Sequence, residues 1–372
     1  SSDVCSSDLE LLKDMYNYES LHEIAKRIQS VYHPFRVDEF LKSTMDQSWN
    51  DLELKARVRK ISSNLGRYLP ADYGDALAIL DQVVSTCSSG FFGILFPDFV
   101  EVYGQDEKNW NLSIKALERY TPYSSSEFAV RPFIINQEER MMAQMYAWSK
   151  HESEHVRRLA SEGCRPQLPW AQALTKFKKD PAPILPILEQ LKADPSPYVR
   201  KSVANNLNDI SKTHPEQIAK LAKDWYGKNK DTDWIVKHGC RTLLKKGDRE
   251  VLEIFGYQNA DCIAVNDFLL DKTTVAMGED LCFSFYILTD EATKVRLEYA
   301  VDYVKASGKR SRKIFQISEL SLNKNEKKFY SKKLSFADLT TRKHYPGMHA
   351  ITLIVNGAER CNADFELTEN NM

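Results

Sequence analysis

The sequence has few of the features that mark secreted, zinc-binding or membrane-spanning proteins. Its seven cysteines are an odd number and include no Cys-x-x-Cys pair, which argues against a disulfide framework and against a zinc site. Cys164, Cys240, Cys282 and Cys361 lie in apolar stretches, and we expect them to be reduced core residues in a reducing cytosol. No apolar run approaches the roughly 18 residues of a transmembrane helix, and no secretory signal peptide is visible. These absences favour a cytoplasmic protein without a membrane partner.

The chain also has almost no net charge, although its charges are unevenly distributed. Lys and Arg total 51 and Asp and Glu total 52, which gives a net charge of −1. Residues 150–250, however, carry 20 basic and 13 acidic side chains. Such a local basic excess on a neutral protein indicates a polyanionic partner, although a solvated, lysine-rich helical face explains it about equally well. With 372 residues, the chain is long enough for two or three domains, each with its own core.

One helical phrase occurs three times in the second third of the chain. Its copies, of which the last is degenerate, lie at 154–163, 197–206 and 233–242. The anchor valines Val156, Val199 and Val236 are 43 and 37 residues apart, a period that suits the helix pairs of HEAT-type repeats, at about 40–47 residues. A weaker copy at 56–65 suggests that the array begins earlier. The sequence therefore predicts a helical repeat array.

The repeated helix turns a set of polar side chains in one direction. If the anchor valine faces the core, at about 100° per residue, the second residue after it points to about 200°. The residues in this position are Arg158, Lys201 and His238. On the same scale Glu162 points to about 240° and Asp209 to about 280°. Stacked repeats make such a side a continuous binding surface, and carboxylates within a basic surface suit a partner that is or becomes cationic.

The segments before the repeats are also predicted to be mainly helical. The first nine residues, Ser1 to Leu9, resemble a translated sequencing-adapter artefact, so we exclude them and expect the natural chain to begin near Glu10. Ser20 with Glu23 suggests a capping box that opens a helix, and Pro34 should stop this helix. Further amphipathic runs cover about 36–45, 51–69, 73–87 and 110–120.

The composition changes near Tyr257, where β-rich segments replace helical ones. Predicted strands lie at 281–288, 294–301, 329–336, 349–355 and 362–367. Six or seven short strands within about 110 residues indicate a β-sandwich of immunoglobulin-like type. The predicted fold is therefore multidomain and mainly α, with a HEAT-like α-helical solenoid over 10–256 and a C-terminal immunoglobulin-like β-sandwich over 260–372.

The solenoid, the phrase RRLASEGCRPQLPW at 157–170 and the terminal sandwich together resemble a known family. They are similar to the AlkC branch of the AlkC/AlkD-type DNA alkylation repair glycosylases over nearly all of 10–372, most specifically at 157–170 and 199–209. HEAT repeats alone would imply only a scaffold. The resemblance implies a monomeric enzyme that needs no metal or cofactor and excises N3-alkylated bases, chiefly 3-methyladenine, from double-stranded DNA. Whether 3-methylcytosine is also a substrate stays open.

The resemblance also implies a set of residues that face the lesion. The carboxylates of the family match Glu127, Glu162 and Asp209, and its aromatic residue matches Trp170. Methylation at N3 makes adenine cationic and a good leaving group, and a carboxylate can stabilise the oxocarbenium-like sugar that remains. A second carboxylate can orient the attacking water, and an indole offers a surface for the sugar or the cationic base.

Ordinary structural roles compete with these assignments. Without the resemblance, Glu162 and Asp209 would be solvated helix residues, and Trp170 would pack between repeats. Glu127 lies in a segment without helical periodicity and could cap a helix. The shared direction of Glu162 and Asp209, together with the resemblance, favours the functional interpretation.

Basic residues in both parts of the chain are predicted to contact DNA. In the helical part, phosphate contacts rather than base contacts are predicted for Arg157, Arg158, Arg165, Arg200 and Lys201. In the sandwich, the basic residues predicted to contact DNA flank tight turns. They are Lys309, Arg310, Arg312, Arg342 and Lys343, with Lys305, Lys313 and His344 beside them. The competing explanation is that these lysines protect the edge of a β-sheet. The functional explanation is that these basic residues form a second clamp on the DNA duplex.

A rival function of another class is a non-catalytic HEAT-repeat scaffold that binds nucleic acid or protein. Release of free 3-methyladenine from methylated DNA would distinguish the enzyme from this scaffold.

Overall fold

The computed structural model describes residues 12–87, 91–257, 260–338 and 343–369. The artefact-like residues 1–9 and the predicted DNA contact Arg342 lie outside these ranges. The chain divides into two compact units. The first is Ser1–Thr213 with Lys228–Gly239, and the second is His214–Gly227 with Cys240–Met372. No helix in the described ranges combines the length and the apolar character that a membrane span requires.

The first unit is built from α-helices. They are α1 (Tyr18–Val31), α2 (Val37–Thr44), α3 (Leu54–Tyr68), α4 (Tyr73–Val84), α5 (Leu95–Tyr103), α6 (Trp110–Tyr120), α7 (Val130–Asn136), α8 (Glu138–Trp148), α9 (Glu154–Gly163), α10 (Thr175–Lys179), α11 (Leu185–Leu191), α12 (Pro197–Ile210) and, after a segment of the second unit, α14 (Lys230–Gly239). The amphipathic runs predicted before the repeats correspond to α2, α3, α4 and α6, and α4 ends at Val84 rather than at Cys87. Amphipathic periodicity thus located these helices but overestimated the length of one.

Helix α1 begins directly after Asn17, so the predicted capping box at Ser20 and Glu23 was wrong. Asn17 Oδ1 accepts a hydrogen bond from the backbone N–H of Ser20 at 2.9 Å. Ser20 Oγ in turn accepts from the N–H of Asn17 at 3.1 Å. Ser20 is therefore the third helical residue of the box and Asn17 is its N-cap, a position where a short side-chain oxygen reaches the free N–H groups.

The three copies of the repeated phrase form α9, α12 and α14, which pack in that order. Their anchor valines Val156, Val199 and Val236 are buried, as predicted. The close approach of α14 to α12 depends on Gly239. A Cβ atom at this glycine would lie 2.9 Å from Cβ of Leu207, too near for a side chain. The repeated phrase therefore supplies the valines that pack in the core and, in its third copy, the glycine that leaves room for α14 to stack on α12.

The second unit combines three helices with eight described strands. The helices are α13 (Pro215–Trp225), α15 (Arg241–Lys245) and α16 (Arg249–Ile254). The strands are β1 (Ile263–Leu270), β2 (Thr274–Ala276), β3 (Asp280–Thr289), β4 (Thr293–Val304), β5 (Arg310–Leu322), β6 (Lys327–Ser335), β7 (Gly347–Val355) and β8 (Ala358–Thr368). Strands β3, β4, β6, β7 and β8 were predicted from the sequence, whereas β1, β2 and β5 were not.

The strands form the two sheets of a sandwich. One sheet has the order β1-β3-β6 and the other β2-β8-β7-β4-β5. Their facing side chains, among them Phe283 and Phe285 of β3 and Leu297 of β4, share one hydrophobic core. The predicted sandwich is confirmed. Strand β5 escaped prediction because it lies at the edge of its sheet, where charged residues replace a clean alternation.

The last helices and the strands touch within the second unit. A Cβ atom on Gly247, which follows α15, would lie 2.8 Å from the carbonyl oxygen of Gly357 between β7 and β8. Lys294 Nζ donates to the carbonyl of Phe255, which follows α16, at 3.4 Å. The change from helix to strand therefore falls inside this compact unit, and the division into domains at 256 and 260 remains a prediction.

Candidate active site

Glu127, Glu162 and Asp209 belong to one connected chain of ion pairs, here called the carboxylate cluster. Arg158 pairs with Glu127, and its Nη2 lies 3.4 Å from Oε1 of Glu162. Arg165 donates from Nη1 to Glu162 Oε1 at 2.7 Å and from Nε to Asp209 Oδ2 at 2.8 Å. The structure thus brings together the three predicted carboxylates, joined by two arginines in the order Glu127, Arg158, Glu162, Arg165, Asp209.

Three different elements supply these carboxylates. Glu162 lies at the end of α9 and Asp209 at the end of α12, so stacking of the repeats brings them together. Glu127 lies in the loop between α6 and α7, as predicted. Ser125 holds this loop residue, because its Oγ donates to Glu127 Oε2 at 2.8 Å and accepts from Arg158 Nη1 at 2.8 Å.

The environment of Glu162 keeps its carboxylate ionised although the side chain is buried. Ser202 Oγ donates to Glu162 Oε2 at 2.6 Å, and the hydroxyl of Ser161 contacts that of Ser202. Burial alone would raise the pKa of Glu162, but Arg158, Arg165 and the Ser202 hydrogen bond hold it below the ordinary value of 4.5. Glu162 is thus a preorganised anion and not the solvated helix residue of the competing interpretation.

Asp209 is bound by cations on both of its oxygens. Arg165 occupies Oδ2, and Lys212 Nζ donates to Oδ1 at 2.9 Å. The two cations that bind Asp209 differ in exposure, because Arg165 is buried whereas the Lys212 side chain is 43% exposed. The Asp209 side chain itself is only 3% exposed.

Trp170 presents its indole to solvent from a strained loop. Its side chain is 39% exposed, and its φ of +61° places it in the left-handed region that favours glycine. Lys55, on α3, donates from Nζ to the carbonyl of Trp170 at 2.9 Å. A lysine more than a hundred residues earlier in the chain thus helps to hold this backbone conformation.

The loop that carries Trp170 is also held by Arg131, which the sequence analysis missed. Arg131 donates to the carbonyls of Gly163 and Arg165 at 3.0 Å each and of Gln172 at 2.7 Å. Its burial lowers the pKa of this guanidinium to about 10. A lone arginine among apolar residues at 128–135 is the sequence pattern that could have marked it.

Tyr198 is a second exposed aromatic residue beside the carboxylate cluster. It lies in the first turn of α12, and the guanidinium carbon of Arg158 lies 5.0 Å from its ring centroid. This distance is within the range of a cation–π contact. Tyr198 was not predicted from the sequence although it belongs to the repeated phrase, because its position next to an anchor valine carries no chemical pattern.

The basic residues predicted to contact phosphate have different surroundings. Arg158 and Arg165 bind carboxylates within the cluster. Arg157 pairs with Asp194 at 2.6 Å, and Arg200 donates to the carbonyl of Asp194 at 2.8 Å. These two arginines therefore brace the turn before α12. Lys201 is exposed. Contact of any of the five with phosphate remains a prediction.

In the sandwich, the predicted hairpin around Gly308 is confirmed. The backbone N–H of Lys305 donates to the carbonyl of Lys309 at 2.9 Å, and Gly308 has a φ of +72°. Lys309 and Lys343 are exposed. Arg312 pairs with Glu359 at 2.7 Å, and Arg310 lies 3.9 Å from Asp364.

His344 does not extend the second basic cluster, contrary to prediction. It is buried, with its ring centroid 5.1 Å from that of Phe336. Within the described ranges, no group of three or more His, Cys, Asp or Glu side chains is arranged to hold a metal ion. Cys164 and Cys240 are buried, as predicted, whereas Cys282 and Cys361 are only partly buried.

Two protein families match the two predicted parts. The family described as DNA alkylation repair enzyme matches residues 123–243, a range that contains the whole carboxylate cluster. The family described as Uncharacterised protein YhaZ, C-terminal Ig-like domain, matches residues 264–369. The immunoglobulin-like type of the sandwich is therefore confirmed.

Two relatives match almost the whole chain. The solved structure of Pseudomonas fluorescens alkylpurine DNA glycosylase AlkC, bound to DNA containing an abasic site analog, is 37% identical with a TM-score of 0.92 and covers 96% of this chain and 99% of that one. Uncharacterized protein YhaZ of Bacillus subtilis (strain 168) is 51% identical over 356 residues, which are 96% of this chain and 99% of the relative. The chain belongs to the DNA alkylation repair enzyme family, in its AlkC-type branch.

Proposed function

We propose that this chain is a DNA glycosylase that excises cationic N3-alkylated bases, 3-methyladenine first among them, and so initiates base excision repair. The observation that carries the proposal is the carboxylate cluster, in which the buried Glu162 and Asp209 lie at equivalent ends of stacked repeat helices. The solved relative is a glycosylase bound to an abasic site analog, which resembles the product of base excision.

The charge of the cluster suits a reaction that develops positive charge. Its three carboxylates face two guanidinium groups, so these five side chains together carry one net negative charge. An N3-methylated adenine already carries a positive charge and leaves as a neutral base, which transfers the positive charge to the sugar. Preorganised anions stabilise such an oxocarbenium-like sugar most effectively where water is excluded.

The two buried carboxylates of the cluster and the nearby Trp170 have different roles in this reaction. Glu162 stays ionised at neutral pH because Arg158 and Arg165 hold its pKa down, so it serves as an electrostatic stabiliser. Asp209, whose Oδ1 is engaged only by a partly exposed lysine among the contacts described above, suits the orientation of the attacking water. The exposed indole of Trp170 offers a surface for the sugar or for the departing base.

The test is release of free 3-methyladenine from methylated duplex DNA by the purified protein under single-turnover conditions. We expect Asp209→Asn and Glu162→Gln each to lower the excision rate on the order of 10²-fold, the loss seen when one preorganised electrostatic group is removed. Both variants should stay folded and keep their affinity for undamaged duplex, although each loses some thermal stability because the buried Arg165 loses one charged partner. Glu189→Gln, on the surface of α11, is the matched control and should retain the wild-type rate.

Two outcomes would contradict parts of this proposal. Binding without any release of base by the wild type would favour the non-catalytic scaffold. Near-normal rates in both the Asp209 and the Glu162 variants would remove these carboxylates from catalysis. The same assay on duplex DNA containing 3-methylcytosine determines whether this base is also a substrate.

A further inference from the structure

Lys212 occupies the side of Asp209 that the proposed reaction needs. Its Nζ lies 2.9 Å from Oδ1 of Asp209, while Oδ2 is held by Arg165. A carboxylate with a cation on each oxygen is poorly placed to meet a positively charged sugar or to orient water. One of the two cations must therefore move before Asp209 can act.

Of these two cations, Lys212 is the one that can move at little cost. Arg165 is buried and also binds Glu162 at 2.7 Å, and its backbone carbonyl is bound by Arg131 at 3.0 Å. The Lys212 side chain is 43% exposed and follows Asp209 by three residues. Although Asp209 is buried, the exposed Lys212 ammonium can return to water when it leaves, and water screens its attraction to the carboxylate.

The charge balance gives Lys212 a further effect. The five side chains of the carboxylate cluster carry one net negative charge, and the ammonium group of Lys212 cancels it. A neutral cluster attracts a cationic sugar less than a negative one does. The positive charge of Lys212 thus acts at the same place as the positive charge that develops on the sugar in the transition state.

We propose that Lys212 is an electrostatic gate that couples DNA binding to the activation of Asp209. In the free protein its ammonium group neutralises Asp209. When duplex DNA binds, a backbone phosphate competes with Asp209 for this group and releases the carboxylate for part of the time, so Asp209 becomes active only where DNA is present. The inference rests on the proposed glycosylase function and adds a regulatory residue to it.

The gate predicts two effects of opposite sign for Lys212→Met, a variant that keeps the aliphatic stem and removes the charge. Binding to undamaged duplex should weaken, and the slope of log K against log salt should fall by about one because one phosphate contact is lost. Excision at saturating DNA should be faster than in the wild type, because Lys212 no longer competes for Asp209. A merely structural lysine would not move these two quantities in opposite directions.

The decisive measurement compares two abasic-site analogues in the same duplex, a neutral tetrahydrofuran and a cationic pyrrolidine. In the wild-type complex Lys212 still spends part of its time at Asp209, so Lys212→Met should raise the preference for the cationic analogue by up to about fivefold, the effect of one unit charge at about 4 Å in water. Lys192→Met is the matched control. Lys192 pairs with Glu189 three residues before it on the surface at the end of α11, and its loss should leave the preference unchanged.

An unchanged preference in Lys212→Met, or an equal rise in Lys192→Met, would overturn the gate. These results are distinguishable from failure of the proposed function. A wild-type protein that neither excises bases nor prefers the cationic analogue would count against the glycosylase itself. A wild type that does both, beside a Lys212→Met variant with the wild-type preference, would count against Lys212 alone.

Discussion

Each compact unit of this protein buries an arginine between two carboxylates, and only one of these sites is proposed to be catalytic. In the helical unit, Arg165 bridges Glu162 and Asp209. In the sandwich unit, Arg296 donates from Nη2 to Glu298 at 2.6 Å and pairs with Glu319. Burial of charge is therefore common to both units.

The two sites differ in what surrounds them. Arg296 and Glu298 lie two residues apart on β4, and Glu319 is the cross-strand partner of Arg296 on β5, so the contacts are completed within one sheet. The cluster around Arg165 is instead bordered by the exposed side chains of Trp170, Tyr198 and Lys212. Both networks contain more carboxylates than arginines, so a buried ion pair indicates a reaction site only when a ligand can reach it.

The largest expected effect is on stability, and it distinguishes Arg296 from Arg165. Arg296→Met leaves Glu298 buried without its partner, and loss of one member of a buried pair costs about 3–5 kcal/mol of unfolding free energy. Excision by the folded protein should stay at the wild-type rate, whereas Arg165→Met should lower both stability and excision. Urea unfolding together with single-turnover kinetics measures both quantities. Loss of excision without loss of stability in Arg296→Met would show that the sandwich network takes part in the reaction.

Ser202 gives a smaller effect confined to the helical unit. Its hydroxyl donates to Glu162 at 2.6 Å in a buried position, and a hydrogen bond to a charged group contributes about 1.5–3 kcal/mol. We expect Ser202→Ala to lower excision by roughly 10-fold or somewhat more. Ser211, a buried serine that donates to the carbonyl of Asn208, provides the control, and Ser211→Ala should keep the wild-type rate. Equal losses in both variants would mean that packing of this helix, and not the orientation of Glu162, limits the rate.

The pH dependence of stability should also distinguish Glu162. Because its pKa in the folded state lies below the ordinary value of 4.5, its ionised form stabilises the fold fully above about pH 4.5. This contribution is lost as the pH falls through the lowered pKa. Wild type should therefore lose more stability than Glu162→Gln between about pH 4.5 and the acid limit of the fold. A difference that instead appears near pH 6 would mean that the pKa of Glu162 is raised.

The smallest effect tests whether DNA contacts the sandwich as well as the helices. Lys201→Ala and Lys309→Ala should each reduce the salt slope of duplex binding by about one if each lysine contacts one phosphate. Deletion of the sandwich would be less informative, because α13, α15 and α16 belong to the same compact unit as the strands. A lower slope for Lys201→Ala with an unchanged slope for Lys309→Ala would confine the DNA path to the helical unit.

The sequence located features that depend on local periodicity. The shared direction of Glu162 and Asp209 followed from 100° steps along an α-helix, and both side chains indeed enter one cluster. The strands with clear alternation were found in the same way. Prediction was less successful where two nearby side chains could each cap a helix. Ser20 was predicted to cap α1, but the N-cap is Asn17.

Contacts between residues distant in the chain could not be predicted in the same way. Phosphate contact is still only predicted for Arg158 and Arg165, and the sequence did not predict that each of them lies between two carboxylates. Their choice of partner depends on how α9 stacks on α12 and on the loop that carries Glu127. Likewise, His344 looked like part of a basic cluster and is buried beside Phe336.

By itself, then, the sequence determined the two kinds of architecture and the repeat helices, and its resemblance to a known family implied the candidate carboxylates. The architecture and the helices are properties of single elements, whose hydrophobic periodicity is written in consecutive residues. Tertiary structure decided which cations and anions from different helices meet, including the contact of Arg165 with Asp209. The physical reason is that electrostatic attraction depends on distance and burial, and for side chains about 40 residues apart both are set by packing.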